Sequence, residues 1–271
     1  MEENLSPITH AVNHYLGPFA IAILQALHIH SENPDIPIPQ HVVMGVIVLF
    51  LVTVSALILK SRLSVEKPGA MQQVAEGLLT NPMRIGIQDI LDQSAGPYAR
   101  SFLPLVGSIS IFILFSNLLS LFPFFSAPTG NVTVPLACAS ITFVYFNWQG
   151  IRHQGALHYL KHFAGPIWWM SWLIFPVEII STVARLLSLT VRLYANIFSS
   201  DLIYTLFLGL LTQAFVSVWE SSHVGGIVVS IFPALIPLLF IALHLLVAFV
   251  QTLIFTVLPA SYLAMATAEE H

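Results

Sequence analysis

Charged side chains are scarce in this sequence. Only 8% of its 271 residues are Asp, Glu, Lys or Arg, whereas 56% are hydrophobic. Soluble domains contain about 25% charged residues, so this chain has too few polar side chains to cover the surface of a soluble globule. Its nine Lys and Arg residues are scattered rather than clustered, which excludes the basic surface that binds nucleic acid. The composition therefore predicts an all-α polytopic membrane protein.

Cysteine and targeting signals are also nearly missing. The single cysteine, Cys138, excludes an internal disulfide, and its apolar neighbours are typical of a small packing residue. The first residues are acidic and lack a basic region, so a cleaved signal peptide is not expected. Instead, Ile8–Leu27 is predicted to form an amphipathic surface helix that is broken or bent at Gly17-Pro18.

The first uncharged run that is long enough to cross a bilayer is Val42–Leu59. Its 18 residues suit a hydrocarbon core of about 30 Å. Lys60 and Arg62 follow at once, so the positive-inside rule places this end in the cytoplasm and the N-terminus outside. We therefore divide the chain into an extracytoplasmic segment, residues 1–41, and a single membrane domain, residues 42–271.

Met71–Ser94 is too polar to cross the membrane. Its apolar residues recur at helical spacing between Gln, Glu, Arg and Asp, which predicts two short helices along the cytoplasmic face. Asn81 followed by Pro82 is typical of a helix N-cap with proline at the first helical position. The second short helix is therefore expected to begin there.

Two further uncharged runs predict a helical hairpin. Phe102–Phe125 and Val132–Gln149 are joined by Ser126–Asn131, whose turn-forming residues leave no room for another element. Arg100 precedes the first run and Arg152 follows the second. By the positive-inside rule, the base of the hairpin is cytoplasmic and its tip is external.

The last two stretches are unusually long. Ile167–Trp219 contains 53 residues, which as one helix would measure roughly 80 Å. Because no proline or glycine occurs from Val177 to Leu208, a turn in the lipid would leave backbone groups unsatisfied. A long, strongly tilted helix fits better, and Val224–Ala268 has the same character. About five membrane-embedded helices are expected, with the C-terminus in the cytoplasm.

A polar stripe runs along the first of these long helices. Its members recur three or four residues apart and are Glu178, Ser181, Arg185, Ser188, Arg192, Asn196 and Ser199. This spacing places one hydrophilic strip on a helix that otherwise consists of apolar residues. Asp201 follows Arg192 by nine residues and so lies about half a turn away, facing a different neighbour.

Arg192 is the costliest residue of the stripe. An arginine inside a bilayer costs about 3 kcal/mol on insertion scales, and it cannot lose its proton. Glu178 is fourteen residues away and Asp201 nine, whereas partners on one helix are three or four apart, so the charge is predicted to act on a group outside this helix. For Arg185, pairing with a neighbouring helix and snorkelling to the interface are both open.

The last helix carries a second polar pair. His244 and Gln251 are seven residues apart and therefore lie on nearly one face. A packing histidine bonded to a neighbouring carbonyl is one interpretation of His244. An Asp201–His244 pair that exchanges protons near neutral pH is the favoured one.

These motifs resemble subunit a of the rotary F-type ATP synthase. The polar helix matches E-x6-R-x6-R-L-x2-N-x4-D, and the last helix matches H-x6-Q, followed by a terminal AEEH. The hairpin also fits, through the segments NLLSLFP and NVT. The resemblance covers about two-thirds of the chain and is strongest from Phe175 onward. It implies one spanning helix, an amphipathic helix, a hairpin and two long tilted helices.

The resemblance implies a stator that conducts protons to and from a ring of c subunits through two offset half-channels. Arg192 would face a carboxylate of that ring, with Glu178 on the inner side and Asp201 on the outer side. The implied ion-translocation residues are Arg192, Asn196, Asp201, Glu178, His244 and Gln251. A second rank consists of Arg185, Ser181, Ser188 and Ser199.

The resemblance also implies partners and a location. Peripheral-stalk b subunits and the bilayer are the further partners, and no cofactor, metal or nucleic acid is expected. The chain would not be an enzyme by itself and would cross the bacterial inner membrane several times. The family often has Ala-Gly-Glu where this chain has Ser199-Ser200-Asp201. The shorter aspartate is therefore expected to need a water molecule to reach His244.

Other functions fit the sequence less well. A proton-coupled secondary transporter would show paired halves with broken helices, and an intramembrane metalloprotease would show HExxH; neither pattern occurs. The pairs His10/His14 and His158/His162 have the spacing of zinc ligands on a helix, but surface histidines are the favoured interpretation.

Overall fold

The structure, a computed structural model, consists of helices in every region that it describes. The described residues are 6–26, 36–65, 67–81, 84–122, 125–155, 159, 170–221 and 223–267. Their α-helices are α1 (Pro7–Ala26), α2 (Gln40–Ser61), α3 (Ala70–Leu79), α4 (Ile87–Ala95), α5 (Ala99–Leu119), α6 (Thr133–Gln154), α7 (Ser171–Ser221) and α8 (His223–Thr267). No strand occurs among these residues, and the predicted all-α class is confirmed.

The chain forms two compact units. The first unit consists of Met1–Ile47, Ser116–Asn131 and Tyr194–Val250. The second unit consists of Val48–Phe115, Val132–Leu193 and Gln251–His271. The division into an extracytoplasmic segment, 1–41, and one membrane domain, 42–271, stays a prediction.

In the first unit, α1 is attached to the chain that precedes α2. The Asn13 side chain donates a hydrogen bond to the Ile38 carbonyl at 3.0 Å and accepts one from the Ile38 N–H at 3.0 Å. Pro37 also packs next to Gly17, where an added Cβ would lie 3.4 Å from the proline ring. The helix is continuous through Pro18, so it is not broken at Gly17-Pro18, and the alternative of a bend there stays a prediction.

The polar segment after α2 forms two short helices, as predicted. The N-cap predicted at Asn81 is wrong, however, because α4 begins only at Ile87. Asn81 closes a turn instead: its Oδ1 accepts a hydrogen bond from the Ile85 N–H at 3.1 Å, and its own N–H donates to Asp89 Oδ2 at 2.9 Å. An asparagine before a proline suits both a cap and a turn, and here the distant Asp89 favours the turn.

The predicted hairpin has shifted ends. The first helix, α5, ends at Leu119 although the apolar run continues to Phe125. The linker contains one 3₁₀ turn, Pro128–Gly130. The expectation that the linker has no element of its own was therefore wrong. The second helix, α6, ends where Gly155 adopts φ 82°, a conformation that favours glycine.

The two long stretches are continuous helices. Helix α7 has 51 residues and α8 has 45, which confirms long helices over spans broken by a turn. By length and composition, four helices of the described part are suited to crossing a membrane, and they are α2, α5, α7 and α8. Helix α6 has the required length but is more polar, so a fifth crossing stays a prediction.

The core of the second unit lies around α4, α5, α6 and the end of α8. Leu91, Phe102 and Leu263 are fully buried there. A buried hydrogen bond of 2.8 Å between the hydroxyls of Ser110 and Thr256 joins α5 to α8. Such bonds contribute about 0.6 kcal/mol each in membrane proteins and fix which faces of two helices meet.

Candidate functional site

The predicted site residues fall into two groups, one in each compact unit. The first unit contains Asn196, Ser199, Asp201 and His244. The second unit contains Glu178, Ser181, Arg185, Ser188, Arg192 and Gln251. Along α7, the boundary between the units follows Leu193, the residue after Arg192.

Arg192 lies on an exposed face of α7 in the second unit. Its Nη2 donates a hydrogen bond to Ser188 Oγ, one turn earlier, across 3.4 Å. In the part of the chain that the structure describes, no carboxylate forms an ion pair with this guanidinium. The prediction that Arg192 has no acidic partner on its own helix is confirmed within those residues.

Outside the polar stripe, the neighbours of Arg192 on α7 are apolar. Its neighbours Leu187 and Val191 are 51% and 56% exposed, whereas Leu189 and Leu193 are buried. Arg192 therefore lies on the side of α7 that faces away from its unit, among side chains suited to lipid. Because a permanent charge there costs about 3 kcal/mol or more, the arrangement favours a partner that the described residues do not supply.

Arg185 has two partners. Its Nη2 lies 3.8 Å from Glu178 Oε1, seven residues earlier on α7. Its guanidinium carbon also lies 5.4 Å from the centre of the Tyr262 ring, on α8. Seven residues are almost two full turns, so both side chains share one face, and two long side chains bridge the rise of about 10.5 Å. The rule that ion-pair partners on one helix lie three or four residues apart did not predict this pair.

Tyr159 lies close to the same two charges. Its hydroxyl donates a hydrogen bond to Asn147 Oδ1 at 3.0 Å, and its ring is buried. Burial raises the pKa of this hydroxyl above its ordinary value, the positive charge of Arg185 lowers it, and the negative charge of Glu178 raises it. The inner acid of the predicted stripe is therefore part of a group of four side chains rather than an isolated carboxylate.

His244 is buried in the first unit and bonded to the end of α5. Its Nε2 lies 2.8 Å from Ser120 Oγ and 3.2 Å from the Asn117 carbonyl oxygen. The Ser120 hydroxyl in turn donates to that carbonyl at 2.8 Å. All three contacts are hydrogen bonds only when Nε2 carries hydrogen, since a serine hydroxyl has one proton to donate. In the neutral ring, Nδ1 is then the nitrogen that accepts a proton.

Two more polar residues lie next to Asn117. Thr129, in the turn between α5 and α6, donates to Asn117 Oδ1 at 2.7 Å. Asn117 Nδ2 and Ser116 Oγ are buried and have no hydrogen-bond partner among the described residues. We call Ser116, Asn117, Ser120, Thr129 and His244 the hairpin-tip cluster. Sequence reasoning missed its first four members, although polar residues near the end of an apolar run were a signal.

Asp201 lies against the same turn. A Cβ added to Gly130 would lie 3.7 Å from Asp201 Oδ2. Asp201 and His244 interact electrostatically, but no direct hydrogen bond joins them among the described residues. The favoured Asp201–His244 pair is thus not a direct one, and His244 has the carbonyl partner of the alternative interpretation. The expectation that the shorter aspartate needs a water molecule to reach His244 stays a prediction.

A groove follows Asp201 along α7. It has a volume of about 810 Å³ and is lined by Thr205, Leu208, Gly209, Thr212, Gln213, Val216 and Ser217. Thr205 lies one turn after Asp201, and its hydroxyl donates a hydrogen bond to the Asp201 carbonyl at 2.8 Å. Thr212 likewise donates to the Leu208 carbonyl at 2.8 Å. The groove therefore presents hydroxyl oxygens on the side of α7 where the Asp201 carboxylate lies.

The remaining predicted residues differ in how far they are buried. Gln251 is 2% exposed, and its Oε1 has no hydrogen-bond partner among the described residues. Asn196 is half-buried and Ser199 is exposed. His10 and His14 are exposed on α1, whereas His158 and His162 lie outside the described residues.

Comparisons with known proteins agree on one family. The family profile described as ATP synthase A chain matches residues 41–264, which include every predicted site residue. The chain is 35% identical to ATP synthase subunit a of Koribacter versatilis (strain Ellin345) over 260 residues, 96% of each chain. It is 37% identical to ATP synthase subunit a 1 of Syntrophotalea carbinolica over 231 residues, 85% of this chain and 87% of the relative. ATP synthase subunit a of a Nitratiruptor species is 36% identical over 236 residues, 87% of this chain and 92% of the relative.

Proposed function

The chain belongs to the ATP synthase A chain family, the proton-translocating subunit of the membrane sector, and on that premise we propose that it is the stator that conducts protons through two offset half-channels. Its partner is a ring of c subunits, each with a carboxylate in the membrane. Peripheral-stalk b subunits hold the chain still while the ring turns. Proton flow is thereby coupled to rotation.

The observation that carries this proposal is the exposed guanidinium of Arg192, which lies on the polar stripe of an otherwise apolar helix and has no carboxylate partner among the described residues. A rotor carboxylate in lipid holds its proton, because burial disfavours the charged form. Opposite Arg192, at about 4 Å and an effective dielectric near 20, the ionised carboxylate gains roughly 4 kcal/mol and releases the proton. The fixed charge also repels protons that would pass directly between the half-channels.

The outer half-channel uses the first unit. Protons reach Asp201 along the groove on α7 and pass to the c-ring with the help of His244. Nδ1 of that histidine can take up a proton in the tautomer described above, and Ser116 Oγ and Asn117 Nδ2, which lack a partner among the described residues, can bind water; both features support this route. Asn196 and Ser199 continue the polar stripe toward Arg192.

The inner half-channel uses the second unit. Protons that leave the c-ring pass Ser188 and Ser181 to Glu178, which lies nearer the cytoplasmic end in the predicted topology. The N-terminus is outside, the C-terminus is in the cytoplasm, and the membrane is the bacterial inner membrane. Continuous α7 and α8 helices favour this stator over a secondary transporter, whose substrate site typically contains broken helices.

The proposal is tested by replacing Arg192 with alanine in the assembled complex. Arg192→Ala is expected to abolish ATP-driven proton pumping in inverted vesicles, because nothing then removes the proton from the rotor carboxylate. Arg192→Lys is expected to recover little activity, since lysine loses its charge more readily in this setting. The control is Arg152→Ala, at an exposed arginine of the same unit, which should pump normally. Full pumping by an assembled Arg192→Ala complex would overturn the proposal.

A further inference from the structure

We propose that Arg185 is a positioning residue for Glu178, and that the ring of Tyr262 holds Arg185 in place. The inference rests on the proposed function, because it assigns Arg185 a role in the inner half-channel. Glu178 is the group that receives the proton there. Arg185 acts through Glu178 and takes no proton itself, since arginine stays charged.

The ion pair alone would not hold Glu178. Arg185 and Glu178 are 32% and 37% exposed, and their closest atoms are 3.8 Å apart. Pairs of this kind contribute little, because solvent screens them and two long side chains lose their rotamer freedom. A second contact is therefore needed to keep the guanidinium next to the carboxylate.

Tyr262 supplies the second contact. Its ring centre lies 5.4 Å from the guanidinium carbon, within the distance at which a cation is attracted to an aromatic face. The ring itself packs against Phe146 of α6, with 5.8 Å between ring centres, at the edge of the buried core of this unit. Because Phe146 belongs to that core, the ring is a fixed surface on which Arg185 rests.

The consequence is a defined position for the inner acid. With Arg185 anchored on Tyr262, the Glu178 carboxylate is drawn along α7 toward the guanidinium and away from the lipid-facing side chains. Glu178 therefore presents the same oxygen to every proton that arrives. Without Arg185 the carboxylate samples several rotamers, and the proton has to wait for the productive one.

The test is passive proton flux through the complete membrane sector in vesicles, driven by a potassium gradient with valinomycin. Arg185→Gln is expected to lower the flux about fivefold, the factor that one modest polar contact is worth. In a Glu178→Gln background, the same change is expected to have no further effect. This non-additivity separates positioning from a general structural role, which would lower the flux in both backgrounds.

The Tyr262 ring is tested in parallel. Tyr262→Phe keeps the aromatic face and should keep the flux, whereas Tyr262→Leu should match Arg185→Gln. Arg185→Lys should restore part of the flux, because it keeps the charge but not the planar group. Wild-type flux after Arg185→Gln, equal losses in both backgrounds, or an inert Glu178→Gln would overturn the inference. If the wild-type chain conducted no protons, the proposed function itself would fail.

Discussion

Replacing Ser120 with alanine removes the closest partner of His244 Nε2. In the native chain the histidine donates to Ser120 Oγ at 2.8 Å, and the serine hydroxyl is itself held on the Asn117 carbonyl at 2.8 Å. After the substitution only that carbonyl, 3.2 Å from Nε2, is left to accept the proton of the ring. The ring is still bonded, but by one longer contact.

The expected loss of proton flux follows from which hydrogen bonds of His244 the substitution removes and which it leaves. One neutral hydrogen bond is worth about 1 kcal/mol net, or about 0.6 kcal/mol between membrane helices. The ring keeps its bond to the Asn117 carbonyl, and this carbonyl loses only its serine donor, so the loss at the ring does not exceed that of one bond. A loss of about 1 kcal/mol lowers the population of correctly oriented rings, and hence the proton flux, at most about fivefold.

The assay is passive proton flux in vesicles that contain the assembled membrane sector. Ser101→Ala is the matched control, because the Ser101 hydroxyl also donates to the carbonyl three residues earlier, at 2.7 Å, without contacting a histidine. Ser120→Ala should lower the flux, and Ser101→Ala should not. In a His244→Gln background, Ser120→Ala should change nothing further. An unchanged flux, or the same loss with His244→Gln, would refute the assignment of Ser120 as the partner of His244.

Two glycines give further predictions. A Cβ at Gly209 meets nothing within 4 Å, so Gly209→Leu should narrow the groove and lower the flux several-fold. Gly45→Leu, at a position on α2 that is equally open to a Cβ, should conduct normally. Wild-type flux through Gly209→Leu would exclude the groove as the route to Asp201. A Cβ at Gly150 would overlap the buried Tyr159 ring, so Gly150→Ala should destabilise the protein by about 1–3 kcal/mol. Thermal unfolding in detergent measures this, and an unchanged midpoint would contradict it.

Local features of the sequence predicted which helices form better than they predicted where each helix begins and ends. The scarcity of charge and the lengths of the uncharged runs predicted the helices, and the absence of proline and glycine predicted the continuity of α7. The errors lie where a distant contact competes with a local preference. Asn81 resembles an N-cap until Asp89 is known to bind its N–H, and α5 ends at Leu119 although apolar residues continue to Phe125.

The sequence by itself determined the isolation of Arg192. Helical spacing shows which residues share a face of one helix, and spacing alone showed that no acid of α7 is within reach of this arginine. That inference needs no knowledge of other elements, because the periodicity of a helix is local. It agrees with the exposed guanidinium of the structure, which forms no ion pair with any described carboxylate.

Only the tertiary structure decided the partners of Arg185 and His244. Tyr262 is 77 residues beyond Arg185, and Ser120 is 124 residues before His244. No spacing rule relates such positions, because their distance depends on how separate helices pack. Only the packing of the helices therefore shows that Arg185 contacts a tyrosine ring and that His244 contacts a serine hydroxyl and a backbone carbonyl.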